Sequence, residues 1–182
     1  RSTLTTRRQR QMCIRDRFNS PLNSVGFNSL APELKGWRIN SGSTPSGNTG
    51  PTSAFQGLQY IYVESSGSQV GQAAEISLCV DLSNWTIPGM SWNYHMFGAA
   101  IGTLDVDVST DAGSTWTNLW SLSDDQGNFW QSAFVDLSSY SGVVDVRFNY
   151  IIDATPFGVS TTLADEALDN IGFSELTLGC ID

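Results

Sequence analysis

The chain has 182 residues, with 17 glycines, six tryptophans, five tyrosines and nine phenylalanines. That length suits one domain able to bury its own core. The composition suits strands joined by many turns and offers little to helices. Charge divides the chain, with six arginines against one acid in residues 1–17 (+5) and three bases against seventeen acids in residues 18–182 (−14). A body this acidic repels phosphate backbones, which excludes nucleic-acid binding by the folded part. No apolar run approaches the ~18 residues of a membrane span, so no membrane insertion by this segment is expected.

The basic head shows neither a strand period nor the apolar segment of a signal peptide. Its piece Met12-Cys-Ile-Arg-Asp-Arg17 reads like translated sequencing adapter. Residues 1–17 are therefore expected to be a disordered tail or a sequence artefact, and residues 18–182 a single domain. Residues 18–36 look irregular, with Pro21, Gly26 and Pro32, and residues 40–54 form a Ser/Gly/Thr/Pro loop too short to link domains. Leu58–Ser65 reads as a strand with Tyr60, Tyr62 and Glu64 on one face and Ile61 and Val63 on the other. Ala73–Leu82 follows, Gly89 breaks it from Ser91–Phe97, and Leu104–Ser109 alternates with Leu104, Val106 and Val108 together. Then come Trp116–Leu122, Phe134–Leu137 and Val144–Ile152, the last with Val144, Val146, Phe148 and Tyr150 inward. After a loop over 153–165, Ala167–Leu178 closes the chain. So many short strands predict an all-β, two-sheet antiparallel sandwich. Its core should draw on Trp37, Leu104, Val106, Val108, Val146, Phe148 and Ile171.

Several motifs carry chemistry or turn geometry. Ser109-Thr-Asp-Ala-Gly-Ser-Thr-Trp116 matches an Asp-box, but a propeller would repeat it, so one copy reads as a hairpin turn. His95 is the sole histidine, with no nucleophile elbow to accompany it, and reads as structural. Nothing singles out a carboxylate pair for glycoside hydrolysis, so no enzyme is expected. Cys79 and Cys180 lie outside the basic head, whereas Cys13 lies within it. They suit either an extracellular disulfide or two inert buried thiols. Asn84-Trp-Thr86 is a formal glycosylation sequon, usable in a eukaryotic secreted protein and idle in a bacterial one. Alternation puts Asp169 on one face with Ile171 and Phe173, where a carboxylate needs pairing, hydrogen bonds or a cation.

The order Tyr94-His-Met-Phe-Gly98, Gly102-Thr-Leu104, a strand bearing Trp116 or Trp120, and Gln126-Gly-Asn-Phe-Trp130 resembles the MAM domain, an extracellular adhesion module. Trp37-Arg-Ile is similar to that family's early strand with a buried tryptophan. The likeness covers roughly residues 35–180 and implies a jelly-roll sandwich, in a bacterial-type secreted version. It implies a non-catalytic recognition module of a larger secreted or cell-surface protein, contacting other extracellular proteins. A carbohydrate-binding module on a secreted hydrolase is the alternative, with Trp85, Phe129 and Phe157 as candidate glycan-stacking aromatics. The family's last strand carries an acidic pair where this chain has Asp169 and Asn170, and Glu64 matches a further acidic position. The resemblance thus implies a structural Ca²⁺ on Glu64, Asp169 and Asn170, with a metal-free hydrogen-bonded carboxylate as the other reading. It also implies a Cys79–Cys180 disulfide, although Cys79 lies earlier than the family's usual position.

Overall fold

The computed structural model describes residues 36–68, 70–152 and 159–176. Its strands are β1 (Trp37–Asn40), β2 (Tyr60–Val63), β3 (Ala73–Asp81), β4 (Pro88–Met96), β5 (Thr103–Ser109), β6 (Thr117–Ser123), β7 (Gln131–Asp136), β8 (Val143–Ile151) and β9 (Glu166–Glu175). A 3-10 turn, Thr161–Leu163, precedes β9. Two antiparallel sheets result, ordered β1-β2-β9-β4-β7 and β3-β8-β5-β6. The expectations for residues 1–35, 153–158 and 177–182 fall outside the described residues.

Alternation drives the sandwich. Ile76, Leu78 and Val80 of β3, Val144, Val146, Phe148 and Tyr150 of β8, and Leu104, Val106 and Val108 of β5 all face the opposite sheet. Trp37, Ile61, Val63, Met90, Trp92 and Leu168 answer them from the other side. At the centre the Trp92 ring meets Phe148 edge-on at 5.4 Å and Trp120 at 5.2 Å. Such edge contacts add about 0.5–1.5 kcal/mol each beyond the area they bury. Every residue expected in the core is buried.

Three expectations need correction. Gly89 does not break a strand, because Pro88–Met96 is continuous. A Cβ at Gly89 would stand 2.5 Å from the Phe134 ring of neighbouring β7, so glycine serves close packing there. The short strand expected at Phe134–Leu137 begins at Gln131, because residues 131–136 pair fully with β4. Finally, β9 does not alternate throughout. Asn93 pairs with Asp169 and Ser91 with Gly172, so β9 holds one extra residue there. Asn170 takes a left-handed φ of 50° at this bulge. The bulge turns Asp169 onto the outer face with Ala167, and it turns Glu166 inward with Leu168. Asp169 therefore does not share a face with Ile171 and Phe173.

Candidate functional site

The outer face of the five-stranded sheet carries a second apolar cluster of Tyr60, Tyr62 and Ala167, with Ala54 and Trp130 packed on it. Trp130 is its hub. Its ring lies 5.8 Å from Tyr60, 5.4 Å from His95 and 6.4 Å from Phe55, and its Nε1 donates to the Ser53 carbonyl at 3.0 Å. The loop over residues 53–58 is thereby pinned at one end. Asp169 pins it at the other, for its Oδ2 accepts the backbone N–H groups of Phe55 (2.8 Å) and Gln56 (2.9 Å). Its Oδ1 accepts from Asn170 N. Burial pushes the Asp169 pKa up despite these donors, which work the other way.

A second loop, residues 124–130, closes beside the first. Asp125 Oδ1 accepts from Gly98 N and Gly127 N, and Gln126 N donates to the Met96 carbonyl at 2.7 Å. Between them the two loops display Phe55 (47% exposed), Leu58 (83%) and Phe129 (59%). Gln56, Asp124, Asp125 and Asn128 stand exposed among them. Large apolar side chains held out on a hydrogen-bonded framework make a surface suited to recognition.

Of the candidates named from sequence, Phe129 belongs to this surface. Trp85 is half-buried against the core and acts as a packing residue. Phe157 lies outside the described residues. Glu64 and Asp169 are not brought together, because β2 and β9 place Tyr62 opposite Ala167 and Val63 opposite Glu166. That register sets Glu64 beside Asp165, four residues from Asp169. Asn170 spends its side-chain amide on Asn93 Oδ1 at 3.0 Å. His95 is buried, and burial lowers its pKa against a hydrogen bond with Asn128, so it stays neutral near pH 7. The Asp-box is a turn, with Asp111 Oδ1 accepting from Thr115 N at 2.8 Å and Gly113 at a φ of 79°. Its Trp116 stacks under the Arg147 guanidinium, 4.4 Å from the ring centre.

A family model described as "MAM domain, meprin/A5/mu" matches residues 21–177. The chain belongs to the MAM domain family. Neuropilin-1a of Danio rerio is 30% identical over 76% of the chain, which spans 16% of that relative's length. The human MAM domain-containing glycosylphosphatidylinositol anchor protein 1 is 35% identical over 56% of the chain and 11% of its own length. Among solved structures, the K2 cleaved adhesin domain of Lys-gingipain superposes with a TM-score of 0.50 at 17% identity, covering 77% of this chain and 82% of that one. No helix among the described residues is long and apolar enough to cross a membrane.

Glu64 and Asp165 are neighbouring acids that could hold a hard cation between them. Asp165 is fully buried, with Oδ1 satisfied by Ser65 N and Oγ and Oδ2 without a partner. Burial first, and the Glu64 charge further down, raise its pKa, and a cation would relieve both. No three of His, Cys, Asp and Glu gather at one point among the described residues, so backbone and hydroxyl oxygens would supply the rest. Asp165 escaped the sequence reading because an Asp at a strand's start is ordinary turn chemistry. Phe55 and Trp130 carry a weak sequence signal, since each is an isolated aromatic amid polar loop residues.

Proposed function

We propose that this MAM domain is a non-catalytic extracellular adhesion module of a larger secreted or cell-surface protein, binding through Phe55, Leu58 and Phe129. The observation that carries this reading is Asp169. A buried carboxylate is costly, yet this one is committed to the backbone of a loop whose Phe55 side chain faces solvent. Core stability alone does not call for that commitment, whereas a preorganised contact surface does. The partner is a protein with a basic rim around an apolar pocket. Asp124 and Asp125 stand exposed in the loop that carries Phe129, and the only arginines among the described residues are Arg38 and Arg147. Arg147 is held by Asp107 and Glu75 at 2.9 Å each. A second reading uses the same rings for glycan stacking beside the amides of Gln56 and Asn128, as in a carbohydrate-binding module on a secreted hydrolase.

Two supports complete the proposal. A structural Ca²⁺ sits at Glu64 and Asp165. A disulfide joins Cys79 to Cys180. For the latter, Cys79 is not a free thiol. Leu176 N bonds the Ile87 carbonyl, and Glu175 takes the Thr86 and Ile87 N–H groups at 2.8 Å, so residues 175–176 lie beside the loop that follows β3.

The test is a binding screen of the chain against extracellular proteins and against glycans. Phe55→Ala/Phe129→Ala should weaken the protein contact about thirty-fold or more, the scale of an interface hot spot. Raising the salt should slow association. Capture of glycans alone, lost in the same variant, would favour the second reading. Unchanged binding by that variant would overturn the surface itself.

A further inference from the structure

We propose that Asn84 is the acceptor of an N-linked oligosaccharide, placed at the pole of the sandwich away from the recognition surface. The inference rests on the extracellular reading above. Asn84-Trp85-Thr86 is the one Asn-x-Ser/Thr sequence in the chain, and its middle residue is not proline. The structure supplies what the motif alone lacks. Asn84 and Thr86 are both exposed, whereas Trp85 between them turns inward against the core. Trp85 N closes a turn onto the Leu82 carbonyl at 3.1 Å, which puts Ser83 and Asn84 at its tip. Ser83 N bonds Asp81 Oδ1, and Glu175 accepts the backbone N–H groups of Thr86 and Ile87. The Asn84 amide itself takes no hydrogen-bond partner among the described residues. That amide therefore stands open on a fixed turn, where a transferase can activate the nitrogen.

The donor class is an oligosaccharide carried on a lipid pyrophosphate. Asn84 Nδ2 attacks the anomeric carbon and forms the C–N bond while the C–O bond to the pyrophosphate breaks. The amide gives up one proton, and the lipid pyrophosphate leaves with the electron pair. A bacterial source would leave the sequon idle. The relatives at 30% identity and above named here are vertebrate proteins, whereas the bacterial-type adhesin likeness at 17% concerns fold alone.

Position makes the modification compatible with binding. The turn precedes Pro88 of β4, whereas the recognition loops lie level with Asn93 to Met96 through their links to Asp169, His95 and Met96. Five to eight strand residues separate them, roughly 20 Å along the sandwich. A glycan at Asn84 shields that end and leaves Phe55 and Phe129 clear.

The full chain, placed behind a cleavable secretion leader in animal cells, tests this directly. Secretion reads the extracellular proposal. Intact mass with and without peptide-N-glycosidase, on both medium and cell lysate, reads the acceptor. We expect one oligosaccharide, lost in Asn84→Gln and in Thr86→Ala and kept in Thr86→Ser. Asn84→Gln should bind the partner within twofold of the glycosylated chain. An unmodified Asn84 in either pool would overturn the acceptor assignment, even from well-secreted protein. Modified protein retained in the cell would support the acceptor and count against the extracellular reading.

Discussion

Glu166 and Asp169 stand three residues apart on β9, both acidic and both buried, and they have opposite consequences. Asp169 faces outward and finds three backbone N–H donors, two of which order the loop that displays Phe55. Glu166 faces the core between Val63 and Met96, is 0% exposed, and neither of its carboxylate oxygens has a partner. Burial raises its pKa well above the ordinary carboxylate range, so it is held as the neutral acid. What differs is not the residue type but the supply of donors. A buried carboxyl organises its surroundings only where backbone N–H groups are free to meet it, and loops have them while paired strands do not.

The comparison breaks first at Asp169. Replacing it by Ala leaves three part-buried backbone donors without their acceptor, and each bond to a charged acceptor is worth about 1.5–3 kcal/mol, so Asp169→Ala should cost about 3 kcal/mol in urea denaturation. Asp169→Asn, which keeps an acceptor oxygen, should cost less than half of that.

At Glu166 the sign reverses. Glu166→Leu should stabilise by about 1–3 kcal/mol near pH 4, the penalty of an unpartnered buried polar group, and by more as the pH rises. The folded-state pKa is raised, so below the unfolded value near 4.3 both states are neutral and the acid carries no pH-linked cost. Above it the unfolded state ionises while the folded state stays protonated. Stability then falls by about 1.4 kcal/mol per pH unit until the folded pKa is reached. Parallel unfolding curves of wild type and Glu166→Leu between pH 4 and 8 should therefore diverge as pH rises. Equal slopes would mean that Glu166 has a donor after all.

Smaller effects sharpen the contrast elsewhere on the same sheet. Calcium should raise the melting temperature and a chelator lower it, by about 1 kcal/mol or roughly 2–4 °C for a chain of this size. Asp165→Asn should erase that difference, and no dependence on calcium in the wild type would remove the cation from Glu64 and Asp165. Phe55→Ala/Phe129→Ala should alter stability little, by about 1 kcal/mol or less, because Phe129 is largely exposed and Phe55 packs only an edge against Trp130.

The sandwich was legible in the sequence because its core strands keep a strict period of two, as Leu104, Val106 and Val108 do. The resemblance carried by Tyr94–Gly98 and Gln126–Trp130 pointed to the family that the comparisons show. Alternation failed where backbone geometry departs from it. The extra residue at Asn170 reverses the faces of everything N-terminal to it in β9, which moved Asp169 out and Glu166 in. No side-chain pattern announces that bulge, since Asn tolerates the left-handed region without requiring it. The recognition surface was half legible. Phe129 stood out as a loop aromatic, whereas Phe55 gains its role through contacts to Trp130 and Asp169, both distant in sequence.

Amide hydrogen exchange at Phe55 and Gln56 tests most directly whether Asp169 preorganises the recognition loop. The account predicts that both amides are protected in the wild type and exchange at near-intrinsic rates in Asp169→Ala, while β5 and β8 amides keep their protection. Free exchange at Phe55 and Gln56 in the wild type would contradict it, because the loop would then owe its order to nothing that Asp169 provides.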